Sequence, residues 1–167
     1  MKNQELFDRT VGILVKAYLN NTLQHGQPCG CAVGNLIAAN NNYTICKRVG
    51  SNWLFQDGNI NRVANWTEVH AYGEIIKDPC HDEEYKNGVS ELLSTGYDTY
   101  ETSMIEKAFE SVLFTDGEYD CDRDDEDPDG YLGLMAVCDT LMEIHEANET
   151  EITAAKSLFK KELTEVG

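Results

Sequence analysis

The run Cys31-Ala32-Val33-Gly34-Asn35-Leu36-Ile37-Ala38-Ala39 sets the architecture. It is small and apolar on nearly every side, so a helix built from it has no face to offer water and must sit among close neighbours. Breakers bound it on both sides. Gln24-His25-Gly26-Gln27-Pro28 combines glycine's backbone freedom with proline's missing donor, and Asn40-Asn41-Asn42 follows.

Amphipathic helices are available to enclose that run. Phe7, Val11, Leu14 and Tyr18, with Val15 and Leu19 beside them, recur at helical spacing, and Asn3 can cap the segment. Met104, Ile105, Ala108, Phe109 and Val112 form another stripe, opened by the capping pair Asp98 and Glu101. Leu134, Met135, Cys138, Leu141, Met142 and His145 form a third, from about Gly130 to Ala147, with His145 at the rim of the face. Asn148 caps a last helix whose stripe Ile152, Ala155, Phe159 and Leu163 should dock it into the core, with Glu149 and Glu151 at its positive end and Lys160 and Lys161 at its negative end.

Between these lie weaker signals. Tyr43 to Val49 alternates and Trp53-Leu54-Phe55 follows Gly50-Ser51-Asn52, as in a β-hairpin. Val63, Trp66, Val69, His70, Gly73 and Ile76 fit a helical face closed by Asp78-Pro79, after which Cys80 to Gly88 reads as a polar loop and Val89 to Leu93 as an apolar turn. The expected fold is therefore mainly α: a compact array of five or six helices with one small β-hairpin beside it, in the α or α+β class. Its 167 residues suit a single domain, and a hydrophobic fraction of 41% supplies a core that needs no disulfide or metal.

The first residues, Met1 to Arg9, lack a secretory pattern, and no apolar run approaches the roughly 18 residues needed to span a bilayer. A cytoplasmic location is expected. Six cysteines would permit 15 pairings, but a reducing compartment favours free thiols. Sequons such as Asn65-Trp66-Thr67 then carry no glycan.

The formal charge is −17, from 30 acidic and 13 basic residues, which opposes direct nucleic-acid binding and anionic membranes. Nine acids and one arginine fall between Asp116 and Asp129. Within that acidic loop, Asp122, Asp124, Asp125 and Asp127 are candidate docking residues for a basic protein partner. Asp125-Glu126-Asp127-Pro128-Asp129-Gly130 also matches the opening half of a calcium loop, with Asp125, Asp127 and Asp129 as ligands and Leu132 at the apolar position. The closing carboxylate is missing, because Ala136 stands in its place. Weak divalent binding is the most this pattern supports, and no other cofactor is expected.

Cys29-Gly30-Cys31, with Cys80-His81 or His25, could offer zinc ligands, but a single C-x-C before a buried helix reads more simply as packing. His70 and Glu74 could meet on one helical turn as a surface contact. No nucleophile elbow, phosphate loop or dinucleotide fingerprint is present.

His25 to Ala38 and Gly133 to His145 resemble segments of small uncharacterised proteins encoded by Bacteroidetes bacteria and their phages. Phe7 to Leu19, Ser94-Thr95-Gly96-Tyr97 and Ile105 to Glu110 are similar too. The resemblance implies a cytoplasmic, phage-related setting and carries no activity or site residue with it. The functional expectation is a non-enzymatic interaction or regulatory protein, a phage or mobile-element accessory factor that meets a protein partner through an acidic face. The alternatives are a small-ligand or divalent-metal-binding protein that sequesters its cargo, and a virion structural component.

Overall fold

In a computed structural model the described residues are 1–49, 52–71, 74–75, 82–115, 118–119 and 126–165. They form six α-helices and three small antiparallel β elements: α1 (Gln4–Leu19), α2 (Ala32–Asn41), α3 (Asp82–Leu93), α4 (Thr99–Ser111), α5 (Tyr131–Ile144) and α6 (Glu149–Glu165). Strands β1 (Thr44–Val49), β2 (Asn52–Asp57) and β3 (Ile60–Arg62) make a sheet in that order, with Ile45 opposite Phe55 and Phe55 opposite Arg62. The expected hairpin is thus present and gains a third strand.

Helix α2 is the buried centre. Val33, Leu36 and Ile37 are fully enclosed, and Asn35 beside them is buried as well. A buried amide must be satisfied. Asn35 Nδ2 donates to the Thr22 and Gly30 carbonyls at 2.8 and 3.0 Å, and its Oδ1 accepts from Thr22 Oγ1 at 2.9 Å, so it pins the turn that leads into the helix. Cys31 closes the helix N-terminus, its sulfur accepting from the Gly34 amide at 3.3 Å.

The other caps follow their sequences. Asn3 accepts from the Leu6 amide, Asp98 and Glu101 form a full capping box, and Asn148 and Glu151 form a second one. Helix α1 ends at Leu19, ahead of the Gly-Pro breaker, because Asn21 takes a left-handed conformation (φ 62°). The inward face of α4 includes Ile105 and Phe109 as expected, and also buries Thr102, Glu106 and Glu110.

Two segments differ from their expected form. The described part of the segment expected as a helix, residues 63–71 and 74–75, is not one: a single 3-10 turn, Trp66–Glu68, is followed by the pair β4 (His70–Ala71) and β5 (Glu74–Ile75), while Gly73 and Ile76 lie outside the described residues. The cause is a tertiary contact. Glu91 of α3 accepts from the Asn65 and Trp66 amides at 2.9 and 3.1 Å and from Arg62 Nη2 at 2.7 Å, while Trp66 Nε1 donates to the Pro28 carbonyl. His70 lies opposite Ile75 on paired strands, so it does not share a helical turn with Glu74. Residues 82–93, expected as loop and turn, are α3. Three acids, Asp82, Glu83 and Glu84, open it, where the helix dipole favours negative charge. The last pair, β6 (Phe114–Thr115) and β7 (Glu118–Tyr119), precedes α5.

The final helix α6 lies on the expected stripe, but more shallowly than expected. Phe159 is buried, whereas Ile152, Ala155 and Leu163 are half-buried. It rests on α1 at one side of the array.

Gly34 and Gly12 make opposite stability predictions. A methyl group on Gly34 would lie 2.3 Å from the Pro28 oxygen and 2.6 Å from the Cys29 carbonyl carbon, both backbone atoms. Gly34→Ala should therefore cost about 3 kcal/mol, the upper end of overpacking penalties. Gly12, inside α1, has open space around its missing Cβ. Gly12→Ala should gain roughly 0.5–1 kcal/mol from reduced backbone entropy. Urea unfolding of both variants checks the contrast.

Candidate functional site

Helix α5 is apolar on more than one face, and each face has a different use. Leu134, Val137 and Leu141 are fully buried, in a helix packed on α4. Met135, Cys138 and Met142, at four- and three-residue spacing, look instead toward a groove bounded by α1 and α6. From α1 come Phe7, Val11 and Gly12, and from α6 come Ala155, Leu158 and Phe159. The cavity measures about 400 Å³ and so falls in the ~300–1,000 Å³ range of ligand clefts. Its floor is apolar. Methionine supplies a polarisable, adaptable surface there, because its unbranched chain changes shape cheaply.

The rim is acidic. Asp8, Asp139, Glu151 and Glu162 face one lysine, Lys156. Lys156 Nζ lies 3.4 Å from Asp139, and the Met1 ammonium lies 2.7 Å from Glu151. Both are tethered within the fold. Cys138 lines the groove as a thiol, and burial pushes its pKa up to about 12.

At the other end of α5 the acidic sequence turns inward. Gly130 (φ 78°) bends the chain so that two aspartates supply the helix with caps: Asp129 Oδ1 accepts from the Tyr131 amide at 3.1 Å, and Asp127 Oδ1 accepts from the Leu132 amide at 2.8 Å. Asp127 Oδ2 takes the Gly133 amide at 2.9 Å and His25 Nε2 at 2.6 Å. The other ring nitrogen, Nδ1, lies 3.0 Å from Glu110 Oε2. With a carboxylate at each nitrogen, the doubly protonated ring has an acceptor for both of its N–H groups. Burial alone would lower its pKa, but the bonds to Glu110 and Asp127 and their charges outweigh it and raise the value. The ring stacks on Phe109 at 4.2 Å, a contact that Gly133 permits because a Cβ there would lie 2.5 Å from the Phe109 ring.

Glu106, one turn before Glu110, is enclosed too, and its Oε2 has no hydrogen-bond partner. Burial, reinforced by the charge of Glu110, pushes its pKa up to about 8. Burial thus favours the neutral acid form of Glu106, next to the Cys31 thiol, whose pKa desolvation raises well above its usual value. The cluster is sealed: the side chains of His25 and Asp127 are 3% and 2% exposed. It links the turn that carries His25 to α4 and to the start of α5.

These positions revise the reading of the acidic loop. Asp127 is a buried cap and ion-pair partner, so it belongs neither to a solvated docking face nor to an open calcium loop, because both its oxygens are engaged. Asp129 is exposed, but binds the Tyr131 amide and lies 3.4 Å from the Tyr18 hydroxyl. Asp122, Asp124 and Asp125 lie outside the described residues, as do Cys80 and His81. Cys29 and Cys31 are buried thiols, as expected, and burial takes Cys29 up to about 11.

His145 is buried and not at the rim. Its Nδ1 donates to the Lys2 carbonyl at 2.6 Å, which leaves Nε2 for the Tyr97 hydroxyl at 2.8 Å. Among the described residues no helix is long and apolar enough to cross a membrane. In comparisons with family models, curated proteins and solved structures, the chain matches none.

The buried cluster predicts a pH dependence. His25 and Glu106 each hold a proton more tightly in the folded chain than when unfolded. Their stabilising protonation is therefore lost as pH rises, for Glu106 through about 8. Stability in urea should fall as pH rises between the ordinary carboxyl value of 4.5 and about 8. Glu106→Gln, which cannot ionise, should flatten that decline below about pH 8. An equal slope in both proteins would remove Glu106 as its source.

Proposed function

We propose that this chain is a non-enzymatic binding protein that receives a basic, amphipathic segment of a partner protein in the α1–α5–α6 groove. The groove itself carries the reading: an apolar, methionine-lined floor beneath a rim with four carboxylates against one lysine and the Met1 ammonium. Burying an apolar stripe supplies affinity, and the rim selects for positive charge at its edges. The net charge of −17 adds long-range steering toward a cationic partner and works against nucleic acid. A setting in the cytoplasm of a bacterium or its phage, as an accessory factor, accords with the family resemblance. The partner-facing acids in this reading are Asp8, Asp139 and Glu162, in place of the buried Asp127.

The test uses an amphipathic Leu/Lys peptide of about 15 residues, long enough to hold a helix when docked. Asp8→Lys with Glu162→Lys should weaken its binding by about tenfold or more at low salt, with a smaller effect near 0.5 M salt. Asp57→Lys with Glu143→Lys, an equal charge change outside the groove lining, serves as control and should have much less effect. Equal losses in the two pairs would reduce the attraction to overall charge and overturn the groove as the site.

A further inference from the structure

Two walls of the groove continue beyond it. α1 and α5 run side by side in opposite directions, with Phe7 against His145 at one end (ring centroids 5.4 Å apart) and Tyr18 against Tyr131 at the other (5.9 Å). Within the groove α1 presents Val11 and Gly12, and α5 presents Met135. Seven residues make close to two helical turns, so Tyr18 and Leu19 follow Val11 and Gly12 on the same strip of α1. Tyr131 and Leu132, four and three residues before Met135, share its side of α5.

Here the strip is open to solvent. Leu19, Tyr131 and Leu132 are exposed, and Tyr18 between them is half-buried. Large apolar side chains gathered at a surface mark interaction sites. Asp129 closes the strip: its Oδ1 accepts from the Tyr131 amide, and its Oδ2 lies 3.4 Å from the Tyr18 hydroxyl, so an exposed carboxylate is held beside both rings. None of the ion pairs among the described residues takes it. Lys16 lies two residues from Tyr18 and so on the opposite side of α1. The α5 N-terminus carries about +0.5 of a charge, so the carboxylate prevails there by a modest margin.

We infer that the partner segment runs beyond the groove over Tyr18, Leu19, Tyr131 and Leu132, and sets an arginine against the two tyrosine rings and Asp129. This rests on the groove being the partner site, and it defines the segment more closely. Phe7 to Tyr18 spans about 17 Å at the helical rise per residue, so the matching apolar stripe is about three turns long and ends in a guanidinium. Arginine suits the place better than lysine, because its planar group stacks on an aromatic face while its N–H fork reaches a carboxylate.

The Leu/Lys peptide with arginine at both ends, and a twin with neutral citrulline in both places, tests this contact. At low salt the wild type should bind the arginine peptide about fivefold more tightly than its twin. That preference should fall to about twofold in Asp129→Asn, which keeps a cap acceptor, and should vanish when Tyr131→Leu is added. Asp57→Asn with Tyr100→Leu, the same change away from the strip, should retain it. Equal binding of the two peptides by the wild type, or a preference that survives the Asp129 and Tyr131 changes, overturns the inference. If binding weakens in Asp8→Lys with Glu162→Lys but shows no arginine preference, the groove stands and its extension falls. If neither peptide binds the wild type, both fall.

Discussion

The buried ring of His25, held between two carboxylates, organises this fold. It joins Glu110 on α4 to Asp127 ahead of α5, and Asp127 in turn caps α5 through the Leu132 and Gly133 amides. The turn that carries His25 is itself anchored to α2 by Asn35. Four parts of the chain therefore share one electrostatic knot. Removing either carboxylate would leave a buried charge without its partner, which costs far more than losing an exposed pair. Glu106 shows the limit of that arrangement: buried one turn from Glu110, it is pushed toward its protonated form.

Away from this knot the packing changes character. The contact of α4 with α5 is close enough that Gly133 must be glycine to admit the Phe109 ring. On the other side of α5 the same helix faces a groove, where α6 is seated chiefly by Phe159. Tight packing favours one state, whereas an unfilled groove lets alternative apolar surfaces compete. The two faces of α5 thus differ: one packs closely on α4 and the other borders an open groove.

Legibility in the sequence followed the range of the interactions. Helices α1, α4 and α6 announced themselves through periodic stripes and adjacent caps, all made within a few residues of one another. Residues 63–76 misled because a helical spacing was overruled by Glu91, some 25 residues away, which takes the Asn65 and Trp66 amides. The groove was half visible: α5 is apolar on two sides, a signal that it faces two partners, but nothing local says that one of them would leave space.

The chain alone determined the mainly α class, the hairpin, the free buried thiols Cys29 and Cys31 and the acidic balance, because these depend on composition, periodicity and neighbouring residues. Tertiary structure decided the role of each charge. Asp127 and Asp129 differ by two positions within one acidic run, yet one is buried against His25 and the other is exposed. That distinction comes from Gly130, which turns the chain, and from His25, which is 102 residues away in sequence and 2.6 Å away in space. A carboxylate's solvation depends on what folding places beside it, and that neighbour is absent from the local pattern.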